Sequence, residues 1–283
     1  MEKIKILVAC HKPTPAYRDE IYTPIHVGRA ISKYKDEMAE MIGDDTGENI
    51  SEKNPYYCEL TAQYWAWKNL KDVEYVGFCH YRRYFDLQIT KENVDAIFRK
   101  KDVILMSSPQ LITIEKFLLC MVSREEVTIF MMALKKLYPE YEQTTLDYLF
   151  GNQLYSNNML ICRKSLFDDY ASWMFSILKE CEKYMRPSAY TRGRRALAYL
   201  AEIFMPVYFL QHQLRIKTAR ITPWYGEKSK KCSIWGWTFL KSHHFLMSCL
   251  MNKPKSFEDY YYDAVMIGLK ADGILDEIEK DEK

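Results

Sequence analysis

An apolar run from Ile4 to Cys10, broken only by Lys5, stops at His11-Lys12-Pro13. Such a run reads as a strand buried on both faces, ended by a proline that can neither donate to a ladder nor continue it. Similar runs recur at residues 74–79, 102–106 and 158–162, with amphipathic stretches between them. Residues 56–70 read as a helix with Tyr57, Leu60, Tyr64 and Trp67 on one face, and a second helix starts near Lys91. That second helix is capped by Thr90 and buries Val94, Ile97 and Phe98. Strands separated by helices predict an α/β fold with a mostly parallel sheet flanked by helices.

The second half is richer in helix. Ser123 and Glu126 form a capping box that opens a helix to about Leu137. Ser165 with Asp168 reads as the cap of another long helix, whose buried stripe is Phe167, Tyr170, Met174 and Ile177. Residues 193–213 read as a helix kinked at Pro206, and residues 216–221 return to the sheet. After residue 223 the composition turns basic and aromatic, then acidic, so residues 1–223 are read as the main domain and 224–283 as a helical annex with an acidic tail.

A chain of 283 residues with 48% hydrophobic residues can bury a large core. Its formal net charge of +2 argues against nucleic acid as a partner. The eight cysteines (Cys10, Cys58, Cys79, Cys120, Cys162, Cys181, Cys232 and Cys249) contain no CxxC pair, and several sit in apolar runs. They are expected as free thiols in a reducing compartment, not as disulfides or a zinc site. The first residues lead straight into a strand and leave no room for a signal peptide, and no run approaches the ~18 apolar residues of a membrane span. The expected location is the cytoplasm.

GxxxxGK(S/T), GxGxxG and GxSxG are all absent, and the chain has only 10 glycines. A phosphate group would therefore have to meet cationic side chains in place of a glycine-rich loop. His80-Tyr81-Arg82-Arg83 follows a strand at the edge where open α/β sheets place ligands. Arginine's rigid fork suits phosphate oxygens, although the same residues could form a solvated basic turn or pair with Asp86. Asp44-Asp45-Thr46-Gly47-Glu48-Asn49 is a polar loop that could hold a divalent metal or ribose hydroxyls, or simply turn the chain. Asn157 and Asn158 could grip sugar hydroxyls or satisfy a turn. Glu202, two turns beyond the Arg192–Arg195 cluster, is the candidate general base of this half, against the alternative of a surface ion-pair partner.

Taken in order, ILVACHKP at 6–13, DDTGENISEKN at 44–54, YCELTAQYWAWKN at 57–69 and YVGFCHYRRYF at 75–85 resemble a family of domains of unknown function grouped with the bacterial capsular and exopolysaccharide glycosyltransferases. YSNNMLICRKSLFDDY at 155–170 extends the resemblance more loosely. It implies a GT-A-like fold that transfers a sugar from a nucleoside-diphosphate donor, a UDP-hexose or UDP-galactofuranose, to a lipid-linked surface glycan. His11, Asp44, Asp45 and Asn49 would then form the nucleotide pocket, and His80, Arg82 and Arg83 would meet the diphosphate. Asn157 and Asn158 would face sugar and acceptor, and Glu202 would be the base. The Asp-x-Asp metal motif of such folds is replaced here by His80-Tyr81-Arg82-Arg83. No cofactor is therefore required, and Mn²⁺ or Mg²⁺ at Asp44 and Asp45 is the alternative. The rival functions are a sugar-nucleotide hydrolase or phosphotransferase, and a non-catalytic glycan-binding assembly protein. The aromatic and lysine-rich stretch at 224–255 is expected to dock on an anionic membrane surface, at the inner face of the plasma membrane, or else to pack as annex core.

Overall fold

The structure, a computed structural model, describes residues 1–228, 238–240, 242, 243, 245, 246 and 253–281. Nine strands occur among them: β1 (Glu2–Cys10), β2 (Tyr22–His26), β3 (Ile42–Gly43), β4 (Val73–His80), β5 (Tyr84–Phe85), β6 (Val103–Pro109), β7 (Gln153–Arg163), β8 (Ile216–Ala219) and β9 (Ile221–Thr222). Seven make one sheet in the order β3-β2-β1-β4-β7-β6-β8, and β5 pairs with β9 in a small separate ribbon. Every neighbour pair in the large sheet is parallel except those of β7, which runs against both β4 and β6.

β1 is apolar on both faces because both faces are covered. Ile4, Ile6, Val8 and Cys10 point into one core with Tyr22, Tyr84, Phe85 and Phe98. Leu7 and Ala9 point into the larger core, with Leu60, Phe130, Phe167 and Phe204. Each buried Ile, Leu or Val among them contributes about 1.5–3 kcal/mol by leaving water. At the sheet centre Gly77 lets the strands close up: a Cβ there would lie 2.8 Å from Ile161 Cγ1 and 3.0 Å from Ile6 Cγ1.

Eight α-helices precede residue 212: α1 (Asn54–Tyr57), α2 (Leu60–Asn69), α3 (Val94–Phe98), α4 (Ile114–Leu118), α5 (Arg124–Leu137), α6 (Glu142–Leu149), α7 (Lys164–Tyr184) and α8 (Ala196–Gln211). The predicted capping box is present, with Ser123 Oγ accepting from Glu126 N and the Glu126 carboxylate accepting from Ser123 N. The stripe Phe167, Tyr170, Met174 and Ile177 is buried as expected.

Four expectations change. The helix at 56–70 is two helices, because Cys58 takes φ 47° and ψ −127° and reverses the chain between them. Its most buried residues are Leu60, Thr61, Ala62, Gln63 and Ala66, while Tyr64 and Trp67 pack on Phe175 from the rim. The helix after Thr90 shrinks to Val94–Phe98, although Thr90 Oγ1 still accepts from Asn93 N. Ser165 is no cap: α7 already starts at Lys164, and Lys164 pairs with Asp168 one turn on. The strand at 158–162 begins at Gln153, its alternation hidden by an irregularity opposite Leu105 and Ser107.

Pro206 lies inside α8. Residues 216–221 split between β8, beside β6, and β9, beside β5. Three short helices, Phe257–Tyr260, Asp263–Ala271 and Ile274–Asp281, follow. Phe257 and Tyr260 enter the larger core, and Val265, Leu269, Ile274 and Ile278 pack with Ile129 and Tyr184. Of the stretch expected at a membrane, Trp235, Trp237, Lys230, Lys231 and Lys241 lie outside the described residues, as do Cys232 and Cys249. The other six cysteines are free thiols. Trp224 packs on Tyr17 and Tyr84, and Phe239 and Phe245 are exposed. No helix among the described residues is long and apolar enough to cross a membrane.

Candidate active site

β1 is the switch point of the sheet, with β2 on one side and β4 on the other. The chain leaves the carboxyl end of β1 toward β2 and that of β4 toward the other half of the sheet, which opens a crevice between those two ends, where ligands of open α/β sheets bind. A cleft of about 1040 Å³ occupies that position, and His11, His80, Arg82, Arg83, Asn157 and Glu202 all line it.

β4 ends in a tight turn closed at both ends, with His80 N donating to Arg83 O (3.1 Å) and Arg83 N to His80 O (3.0 Å). Tyr81 and Arg82 form its tip. Tyr81 N also donates to Ala9 O (3.3 Å), which ties the turn to β1. The Tyr81 ring is buried edge-on to His11 (5.5 Å), and the Arg82 guanidinium lies 4.9 Å from that ring. Arg82 and Arg83 are exposed, and neither guanidinium has a hydrogen-bond or ion-pair partner among the described residues. Burial lowers the pKa of His11 and the charges of Lys12, Arg82 and Arg195 lower it further, so its imidazole is neutral at pH 7.

The opposite wall is built on the irregularity in β7. Leu105 pairs with Leu160 but Ser107 pairs with Tyr155, so β7 carries extra residues there. Asn157 (φ 70°) and Asn158 (φ 50°) take the left-handed conformation within it, which asparagine tolerates better than other side chains. The two residues then bind in opposite senses. Asn157 O accepts from His80 Nε2 (2.7 Å), which fixes the proton on that nitrogen when the ring is neutral. Asn157 N donates to Glu202 Oε1 (2.7 Å). Asn158 Nδ2 donates to Glu59 Oε1 (2.7 Å), and Gln63 Nε2 to Asn158 O (2.8 Å).

Glu202 projects from α8, and its second oxygen has no hydrogen-bond partner among the described residues. Burial, then the charge of Glu59, pushes its pKa from the ordinary 4.5 up to about 7, against the bond from Asn157 N and the charges of Arg83 and Arg195. A carboxyl with that value can take a proton from a hydroxyl near neutral pH and can also return one.

Asp44, Asp45, Asn49 and Asn158 do not line the cleft. Asp44 is buried, accepting from Gly28 N (2.8 Å), Arg29 N (3.1 Å) and Ser51 Oγ. Gly28 has φ 66°, and a Cβ there would sit 2.7 Å from Asn54 Cβ, so only glycine brings this backbone onto the carboxylate. Asp45 lies 3.5 Å from Arg29, and Asn49 Oδ1 accepts from Ser51 N (3.1 Å). Three donors take most of the lone pairs of Asp44, while Asp45 Oδ1 is buried beside the Arg29 guanidinium without a hydrogen bond of its own. No group of three or more His, Cys, Asp or Glu among the described residues is placed to hold a metal ion. The loop leads into Asn54 and Pro55, which do line the cleft.

Glu59, Cys58, Arg194, Arg195 and Tyr199 line the cleft without having been assigned to it from the sequence. Arg195 Nε points at Cys58 Sγ (3.0 Å), whose thiol is pushed up to about 11, by burial first and then by Glu59. The available signal for Glu59 was its place as a lone acid heading the aromatic helix of 60–69, inside a motif block already singled out.

A family model described as "Domain of unknown function (DUF4422)" matches residues 5–213. No curated protein matches the chain. Among solved structures, the chain is similar to the apo structure of the bifunctional glycosyltransferase WbbM, at 26% identity with a TM-score of 0.68. The match covers 82% of this chain and 48% of that one, so the chain spans about half the length of WbbM.

Proposed function

The chain belongs to the DUF4422 family, and from its cleft we propose that it is a glycosyltransferase using a nucleoside-diphosphate sugar. The observation that carries this reading is one cleft in which two unpaired arginines, Arg82 and Arg83, stand across from a carboxyl whose pKa is about 7. An anion-releasing transfer to a hydroxyl needs both: positive charge for the departing diphosphate and a base for the acceptor.

In this mechanism the diphosphate lies along Arg82 and Arg83, with His11 and His80 beside it. The free oxygen of Glu202 takes the proton of the acceptor hydroxyl. The acceptor oxygen bonds to the anomeric carbon, and the anomeric C–O bond to phosphate breaks with its electron pair going to the diphosphate. Configuration inverts. Asp44, Asp45 and Asn49 serve the nucleotide by bracing the 43–54 loop, Asn157 orients Glu202 and His80, and Asn158 acts through Glu59. We take the sheet as GT-A-like, with residues 1–223 catalytic and 224–283 an annex. The donor is a UDP-hexose, with UDP-galactofuranose the second candidate, and the acceptor is a lipid-linked glycan at an anionic membrane surface.

Calorimetry tests the donor site. UDP should bind more tightly than UMP, and Arg82→Ala or Arg83→Ala should each cost about 1.5–3 kcal/mol, the value of a charge-assisted hydrogen bond. Lysine should rescue only in part, because it lacks the fork. If UDP binds both alanine variants as it binds the parent protein, the diphosphate assignment is wrong.

A further inference from the structure

We propose that Glu59 is a positioning residue, and that Glu59 and Glu202 work as one carboxylate pair at the floor of the cleft, Glu59 acting through Glu202. This rests on the reading of Glu202 as the base and adds a second acid to it.

The pair is built by consecutive residues of one bulge. Asn157 holds Glu202 by its backbone N–H, and Asn158 holds Glu59 by its side-chain amide, both at 2.7 Å. Two successive left-handed non-glycine residues are costly backbone, and they bring the two carboxylates to adjacent points of β7. The other side of the pair is strained as well. Cys58, immediately before Glu59, has φ 47° and ψ −127°, a region normally left to glycine. Its carbonyl is pinned by Asn54 Nδ2 (2.7 Å) and Thr61 Oγ1 (3.0 Å), which fixes the peptide that aims Glu59. Strain on both strands of support marks a position that packing alone does not require.

The chemistry follows from placing like charges together. A negative Glu59 beside Glu202 makes removal of the second proton harder, so Glu202 is a stronger base than an isolated carboxylate. The groups that face Glu202 from each packed element are Glu59 and Cys58 from the α1–α2 turn, Arg83 from the β4 turn, Arg195 ahead of α8, and Tyr148 from α6. Cys58 and Tyr148 are held neutral by burial, so Arg83 and Arg195 are the cations that work against Glu59. Arg195 is partly occupied by Cys58 Sγ, and the negative charge of a bound diphosphate offsets that of Arg83. Donor binding therefore weakens an opposing charge and acts on Glu202 in the same direction as Glu59.

The test is a carbon-13 NMR titration of the glutamate side chains in the full chain, with Glu202→Gln used to assign the resonance. In Glu59→Gln, whose carbonyl can still accept from Asn158, the Glu202 midpoint should fall by about half a pH unit or more. Glu59→Asp keeps the charge and should recover part of that shift. Unfolding of Glu59→Gln would be bypassed by Asn158→Gly, which keeps the left-handed backbone, frees Glu59 and should also lower the midpoint. A midpoint that stays put in Glu59→Gln, or one that aspartate moves as far as glutamine does, overturns the pair. The same variants separate this idea from the transferase reading. If the Glu202 midpoint moves in the NMR titration while the acid limb of turnover does not, the pair stands and Glu202 is not the base.

Discussion

Glu202 is kept where it is at a cost to the fold. Its carboxyl has a pKa of about 7 in the folded protein and an ordinary value near 4.5 when unfolded. Between those values the folded state binds more protons, so the stability linked to this group is present below pH 4.5 and lost as pH rises through 7. Glu202→Gln keeps an oxygen for Asn157 N and removes the charge. It should melt like the parent near pH 4.5 and be more stable above pH 7, by roughly 1–3 kcal/mol. Thermal unfolding at the two pH values measures this, and equal stability at pH 8 would mean the carboxyl is not held in its uncharged form. Turnover in the same variant should fall by about 10²- to 10⁴-fold, the usual contribution of a positioned base. Lost rate together with gained stability in this variant is the trade expected of a working site.

At the level of elements, the β7 bulge decides which residues meet. Asn157→Gly allows the same φ without penalty and keeps the N–H that Glu202 accepts, so stability should change by only a few tenths of a kcal/mol, ~0.5 at most. Asn157→Val cannot sit there: a β-branched side chain in the left-handed region costs about 1–2 kcal/mol. Urea unfolding of the two variants gives the comparison, and similar midpoints would argue that the backbone at 157 is not held as described. The bulge also explains what could be read from the sequence. β1, β4 and β6 were legible because burial on both faces leaves a nearly continuous apolar run, and the capping box at Ser123 because its partners are local in sequence. β7 was read short because extra residues destroy alternation, and Asn157-Asn158 by itself looks like any turn. The break at Cys58 was invisible because nothing in a cysteine announces a glycine-like φ; it is imposed by contacts with Asn54 and Thr61. Ser165 misled for the opposite reason, since a local pattern fitted a cap that the start of α7 at Lys164 made unnecessary.

For the whole molecule, the sequence singled out His11, His80, Arg82, Arg83, Asn157 and Glu202, which line one cleft from four separated segments. It could not tell that Asp44 faces inward, because a buried carboxylate satisfied by backbone N–H groups has the same letters as one that binds a ligand. Nor did composition reveal how far the annex shares the core. Phe257 is fully buried in the larger core and Tyr260 nearly so. A chain ending at residue 223 should therefore unfold at lower temperature and bind a hydrophobic dye that the full chain does not. An unchanged melting temperature would make the annex an independent unit. The membrane proposal is read from liposome co-sedimentation, where binding should need anionic lipid, weaken with salt and fall when Lys230 and Lys231 become Glu. Binding indifferent to lipid charge would leave that stretch without a membrane role.

The proline inside α8 sets a limit on how that helix can behave. Residue 206 has no N–H to give, and the carbonyl it would have bonded, four positions back, is that of Glu202 itself. The residue proposed as the base thus sits at a missing rung of its own helix, its carboxylate held from the side by the N–H of Asn157. The turns before and after the gap are joined less tightly than in an unbroken helix, so backbone amides at 199–205 can exchange with solvent deuterium on a different clock from those at 207–211. Occupation of the cleft should slow the first group and leave the second alone, giving a readout of donor binding that needs no knowledge of which sugar is carried.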